Sequence, residues 1–308
     1  MRIYIAGHRG LAGSAIAREV DKSGKHEWFG RTRSELDLLD RSSVFDFMKQ
    51  EKPDAVVIAA AKVGGIHANN TFPVEFLTEN IQIQSNLLDA SHAADVDRLL
   101  FLGSSCIYPR MAAQPIHESS LLTGPLEPTN EPYAIAKIAG IKLVDAYRKQ
   151  YGHRWISAMP TNLYGPGDNF HPEYSHVVPA LIRRFHEAKV NNASEVKCWG
   201  TGEPRREFMY SGDFASAALH LLGAYDEFGP INVGTGSDIT IKELTILIAG
   251  LVGFTGSIVW DASKPDGTPR KVLDVGKLNS LGWTPSVTLA DGLEKTYEWF
   301  KGNSEFAN

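Results

Sequence analysis

The chain reads as α/β: a doubly wound parallel sheet followed by a smaller C-terminal α+β part. Three observations predict this. Short apolar runs alternate with helical patterns through the first half, a glycine-rich turn joins the first run to the first helix, and two serines end a later apolar run. In chain order, strands are expected at Arg2 to Ala6, Glu27 to Gly30, Asp54 to Ala60, Leu99 to Leu102 and Ile156 to Pro160. Helices are expected to run from the glycine turn to about Ser23, from Asn80 to Ala93 and from Tyr133 to Tyr151. After Gly165-Pro166-Gly167 the connections lengthen and the strands lose regularity, which divides the chain into residues 1–169 and 170–308. The segment 211–224, rich in Ala and Leu, is expected to pack back on the first part.

Composition bounds the function. A chain of 308 residues, 43% hydrophobic and 22% charged, suits about two globular domains. A net charge of −5 gives no footprint for nucleic acid, and the basic doublets Arg183-Arg184 and Arg205-Arg206 are short and separated, as suits a diphosphate better than a polymer. No signal peptide is evident, and no apolar run approaches the roughly 20 residues of a membrane span. The two cysteines, Cys106 and Cys198, suggest neither a disulfide framework nor a metal site, so a reducing, cytoplasmic setting is expected.

The opening segment carries glycines at 7, 10 and 13 between strand and helix. This GxxGxxG spacing suits a turn that brings backbone N–H groups against a pyrophosphate at a helix N-terminus, through Gly7, His8, Arg9, Gly10, Leu11, Ala12 and Gly13. Sites for NAD usually place an acid after the second strand to hold the ribose 2′-hydroxyl. Here Arg31-Thr32-Arg33 follows instead, so the cofactor is read as NADP, with Arg33 on the 2′-phosphate and Arg9 a second candidate.

Tyr133 and Lys137 stand four residues apart, on one helix face. A neighbouring ammonium stabilises a phenolate, which lets a phenol move protons near neutral pH. Such pairs are also common on ordinary surface helices. Ser104, in Gly103-Ser104-Ser105-Cys106, emerges at the carboxyl end of a buried strand, where open α/β sheets bind ligands, and can hold a carbonyl oxygen.

Together the glycine turn, the strand-end serine and Tyr-x-x-x-Lys resemble the extended short-chain dehydrogenase/reductase superfamily, in its nucleotide-sugar-modifying branch. The resemblance implies a Rossmann-type fold. Further segments, Glu127 to Lys137, Pro160 to Pro166, Asn169 to Pro172 and Lys264 to Lys271, resemble enzymes that epimerise a GDP-4-keto-6-deoxy sugar at C3 and C5 and then reduce C4 with NADPH. On that resemblance Ser104, Tyr133 and Lys137 serve reduction, while Cys106 is the epimerisation base and His176 the acid. A thiol and an imidazole, ordinarily near about 8.5 and 6.5, bracket neutral pH as such a shuttle requires. The same resemblance puts Pro160, Thr161, Asn162, Leu163, Lys137 and His176 against the cofactor. Arg184, Trp199, Arg206 and Asp266 then fall to the GDP-sugar, and the oligomer to a homodimer.

Each residue has a plainer alternative: a small packing cysteine, a loop histidine, solvated surface arginines. A 4-epimerase or 4,6-dehydratase would share the fold, but dehydratases resemble one another in an Asp-Glu pair where this chain has Ser105-Cys106. A non-catalytic NADPH-binding regulator often loses the Tyr or the Lys, and both are present here. For the dimer, Ile81, Ile83, Leu87 and Leu88 on one helix and Ile138, Ile141, Leu143 and Val144 on the next look too numerous for one face packed on a sheet.

Overall fold

The computed structural model describes residues 1–172, 174–263 and 266–303. The first half alternates as expected: β1 (Arg2–Ala6), α1 (Leu11–Ser23), β2 (Glu27–Phe29), α2 (Arg41–Glu51), β3 (Ala55–Ile58), α3 (Ile66–Thr71), α4 (Pro73–Ala93), β4 (Arg98–Leu102), α5 (Glu131–Tyr151) and β5 (Arg154–Pro160). Local chemistry sets the ends. Asp40 caps α2 by accepting from the Ser42 and Ser43 N–H groups, and Gly24 and Gly152 close α1 and α5 in the left-handed region. α4 starts seven residues before the expected Asn80, because Pro73 fixes the first-turn backbone of a helix whose polar early turns hide the periodicity.

Past β5 come β6 (Asn162–Tyr164), α6 (Val177–Val190), β7 (Glu195–Trp199), β8 (Arg205–Arg206), β9 (Phe208–Tyr210), α7 (Ser211–Ala224) and β10 (Pro230–Val233). They are followed by β11 (Ile239–Thr240), α8 (Ile241–Val252), β12 (Ser257–Asp261), β13 (Arg270–Lys271), α9 (Gly276–Ser280) and α10 (Leu289–Gly302). α8 opens with a capping box between Thr240 and Glu243, worth on the order of 1 kcal/mol.

Six strands form one parallel sheet in the order β10-β5-β4-β3-β1-β2. β3 and β4 are buried along their whole length, as strands covered on both faces must be. On one face Ile3, Ile5, Leu100 and Ile231 pack with α1 and α7 through Ile16, Val20, Phe214 and Leu221. On the other Tyr4, Val56, Leu99 and Phe101 pack with α2, α4 and α5 through Met48, Leu87, Leu88, Ile141 and Val144. Five of the eight apolar residues counted toward a dimer face, Leu87, Leu88, Ile138, Ile141 and Val144, are therefore consumed inside the chain, while Ile83 and Leu143 are only partly buried.

A third core, containing Phe170, Ile182, Phe185, Leu244, Ile248, Leu293 and Phe300, joins α6, α8 and α10. The later chain does not stay there. α7 and β10 return to the large sheet, and after the third core gains α8, Leu278 and Trp283 return to the first before α10 closes the third.

Candidate active site

The β1–α1 turn is built by glycine. Gly7 has φ +88°, and a side chain on Gly13 would strike the Gly7 carbonyl, so only glycine lets α1 approach the strand end this closely. Gly10 donates to the Gly7 carbonyl at 3.0 Å and caps α1, and a Cβ there would meet nothing nearer than Gly7 O at 3.5 Å. The helix N-terminus is thus left uncovered, a cradle that fits a pyrophosphate. His8 turns inward against Gly30, its Nδ1 is buried without a partner, and burial lowers its pKa.

After β2 the two arginines divide. Arg31 is tied to Glu51 at 2.7 Å and lies over the Phe47 ring, whereas the Arg33 side chain is 75% exposed with only a loose 4.0 Å approach to Asp37. Arg9 is exposed. Arg31 is thus occupied, while Arg33 and Arg9 remain accessible.

Ser104 leaves β4 in extended backbone, and its Oγ accepts from Cys106 N at 3.4 Å, which leaves the hydroxyl hydrogen for another acceptor. Cys106 is held in a turn of 3₁₀ helix, 9% exposed. Tyr133 and Lys137 share the inner face of α5. The Lys137 ammonium, 3% exposed, donates to Leu102 O at 2.8 Å and lies 5.8 Å from the Tyr133 ring centre. A charge on Cys106 acts on Tyr133, Lys137 and Lys271 at once, which puts the thiol among all three.

The electrostatics run against the sequence expectation that the ammonium would ease ionisation of the phenol. Burial, then the Cys106 charge, raise the Tyr133 pKa, and burial pushes Lys137 down to about 8. The phenol is therefore held protonated. Lys137, unlike a free lysine near 10.5, releases its proton in the folded state as pH rises past about 8, while the unfolded chain keeps one. Folding therefore gains stability with rising pH across that window, and the charge is a cost at neutral pH. Lys137→Met should raise the melting temperature at pH 7 by about 2–5 °C, a gain that fades toward pH 10, while abolishing most turnover. Calorimetry across pH reads the sign, and a destabilised Lys137→Met at pH 7 would contradict it.

His176 stands at the N-cap position of α6 with no side-chain cap bond, exposed at the surface, and desolvation by its neighbours lowers its pKa. The loop after β3 reaches the same place, where Gly65 N donates to Tyr174 O at 3.4 Å. Pro160 ends β5. Thr161 N donates to Val233 O, and the Thr161 and Asn162 side chains donate to Glu207 O, so this segment presents its remaining backbone beside the strand ends. Leu163 packs into the first core.

Successive residues of a strand point to opposite sides, and this separates the second arginine doublet. Arg205 goes to Asp238 at 2.7 Å, where Arg270 joins it, whereas Arg206 is half-buried near Asp266 and Glu127. Asp266 is exposed and accepts from Thr201 N and Oγ1. Arg184 donates to Lys197 O, and Trp199 is 65% exposed. Arg183 is bound to Glu187. The segment Lys264 to Lys271 begins with Lys264 and Pro265, which lie outside the described residues.

The chain matches the NAD dependent epimerase/dehydratase family over residues 3–234. It is 60% identical to the putative GDP-L-fucose synthase 2 of Arabidopsis thaliana, across 98% of this chain and 92% of that protein. It is 56% identical to the GDP-L-fucose synthase of Escherichia coli K12, across 99% and 98%. The chain belongs to this family of epimerases, among its GDP-L-fucose synthases. The fold agrees: a GDP-L-fucose synthetase from Naegleria fowleri, solved bound to NADP, superposes with a TM-score of 0.92 at 28% identity, covering 99% of this chain and 95% of that one.

Three charged residues with unusual surroundings were not singled out from the sequence. Lys271 lies beside Arg206 in the β8–β13 register and within reach of the Cys106 charge, yet was read only as part of a segment. Asp168 is buried with one oxygen unpartnered, and burial pushes it up to about 7. Glu207 stands between Arg206 and Phe208 and is wholly buried. The available signal was a carboxylate in an otherwise apolar run after Arg205-Arg206.

Proposed function

We propose that the protein converts GDP-4-keto-6-deoxy-D-mannose to GDP-L-fucose with NADPH. The observation that carries this reading is the gathering of Ser104, Cys106, Tyr133 and Lys137 at the end of β4, supported by near full-length identity to GDP-L-fucose synthases. Carbons 3 and 5 of the sugar are both α to the C4 carbonyl. Cys106 takes a proton from each, the enolate charge rests on the C4 oxygen, and the Ser104 hydroxyl and Tyr133 phenol hold that oxygen. His176 returns a proton from the other face. NADPH, when bound, supplies the hydride for C4. Tyr133 then gives its proton to the C4 oxygen, and Lys137 balances the phenolate left behind.

Arg184 and Arg206 take the diphosphate, Trp199 offers an indole face, and Asp266 accepts from guanine or ribose. The assay is NADPH oxidation with GDP-4-keto-6-deoxy-D-mannose and determination of product stereochemistry. Purification with tightly held NAD, and 4-epimerisation of a GDP-sugar without net oxidation, would overturn the reading.

The open glycine turn and the exposed Arg33 support NADP over NAD. Arg33→Ala should erase most of a preference for NADPH over NADH, worth about 1.5–3 kcal/mol, as read by fluorescence titration of both cofactors. Equal binding by the unaltered protein would refute this.

A homodimer through α4 and α5 remains our reading of the assembly. Phe72, Val74 and Ile135 are 41%, 66% and 45% exposed at these helices, beside the half-buried Ile81, Ile83 and Leu143. Light scattering at micromolar concentration should give twice the chain mass. Two free thiols suit a reducing, cytoplasmic setting, and among the described residues no helix is long and apolar enough to cross a membrane.

A further inference from the structure

The strands that carry Arg206 and Lys271 meet the Thr161–Asn162 segment at one residue, Glu207. Glu207 is 0% exposed. Its Oε1 accepts from the backbone N–H groups of Thr235 at 2.5 Å and Gly236 at 2.7 Å, and its Oε2 from that of Leu273 at 2.9 Å. A side chain on Gly234 would strike Oε1, so glycine keeps this approach open. At its own peptide group, Glu207 N donates to Lys271 O at 3.3 Å, and Glu207 O accepts from Asn162 Nδ2 at 2.8 Å and Thr161 Oγ1 at 3.3 Å.

One residue therefore links four segments: the end of β5 with β6, the β8–β9 junction, the loop after β10, and β13. Among the described residues no cation forms an ion pair with it. Burial raises its pKa, and the N–H bonds from Leu273, Gly236 and Thr235 oppose that rise. A buried carboxylate is a costly way to hold a fold, since apolar packing of similar volume is often as stable. What it offers is direction: two acceptor oxygens aimed at donors on separate segments.

We propose that Glu207 is a positioning residue that sets Arg206 and Lys271, on the sugar-nucleotide side, at a fixed distance from Thr161 and Asn162, on the nicotinamide side. The inference rests on the function proposed above. Glutamine is the telling replacement, because every partner of the carboxylate is a donor and an amide has one acceptor oxygen. With that oxygen toward Thr235 and Gly236, its NH₂ group faces the Leu273 N–H, and the chain just after β13 loses that bond.

Glu207→Gln should raise KM for GDP-4-keto-6-deoxy-D-mannose about 10-fold or more, leave the NADPH dissociation constant within about twofold, and speed amide hydrogen exchange at Leu273. A merely structural role would weaken both ligands together and speed exchange throughout, and that pattern overturns the proposal, as does an unchanged KM. Should Glu207→Gln fail to fold, Gly234→Ala displaces Oε1 without altering charge and is expected to raise the same KM alone. Failure of both variants to fold would make Glu207 a folding residue and overturn the proposal. If the unaltered protein does not turn over the keto sugar, the proposed reaction fails separately. The dissociation constant of GDP, about 10-fold weaker in Glu207→Gln, then tests the positioning alone.

Discussion

In Tyr133→Phe, reduction at C4 should fall by about two to four orders of magnitude while NADPH continues to bind. The ring fills the same space, so its edge-on contact with Phe76 survives and only one hydroxyl is lost. The size of the effect follows from where the phenol sits: its proton is held by burial, and one of the Lys137 donors is committed to Leu102 O. Exchange of the C3 and C5 hydrogens with solvent should persist in part, because Cys106 and Ser104 are untouched. Single-turnover NADPH oxidation reads the loss, and nearly unchanged turnover would mean that water or another side chain protonates the C4 oxygen.

Cys106→Ser should give the opposite pattern. A hydroxyl is a far weaker base than a thiolate at neutral pH, so deuterium uptake from D₂O into C3 and C5 should drop by about two orders of magnitude or more. The groups that hold the carbonyl remain. Hydride transfer to C4 should therefore continue, giving an unepimerised 6-deoxy sugar, slowly if the proposed site binds the epimerised ketone better. NMR of the recovered sugar reports both outcomes. Exchange at the unaltered rate would return Cys106 to a packing residue beside β4 and make His176 the first alternative base.

The contrast between these residues and Glu207 shows what a sequence displays. Gly7, Gly10, Gly13, Ser104, Tyr133 and Lys137 were legible because each depends on neighbours a few positions away: a turn that needs glycine, a strand end, one helix face. Most of the main strands of the first half were legible for the same reason, as largely apolar runs. Glu207 takes its meaning from Leu273, 66 residues later, and Lys271 from a two-residue strand too short to show a period. β10 was hidden too, since Pro230 to Val233 is only four residues long and its pairing with β5 spans some 70 positions of chain. For the Tyr133–Lys137 pair the spacing predicted an eased ionisation of the phenol, and burial, which spacing does not encode, reversed the sign.

The repeated crossing of the chain between its cores has a consequence for how this protein can be dissected and recombined. A fragment ending near residue 169 would lose β10, which closes the β5 edge, and α7, Leu278 and Trp283, which roof Ile3, Ile5 and Ile231. It would present a bare strand edge and an oily plane to solvent, and would aggregate before it could bind a nucleotide. Nor can a new sugar specificity be grafted through a single splice, because the sugar-facing side is sewn in by several stitches. On the function proposed above, exchange of specificity would proceed by point substitutions around Trp199, Arg206 and Asp266, or by moving each crossing segment together with the stretch of sheet it covers.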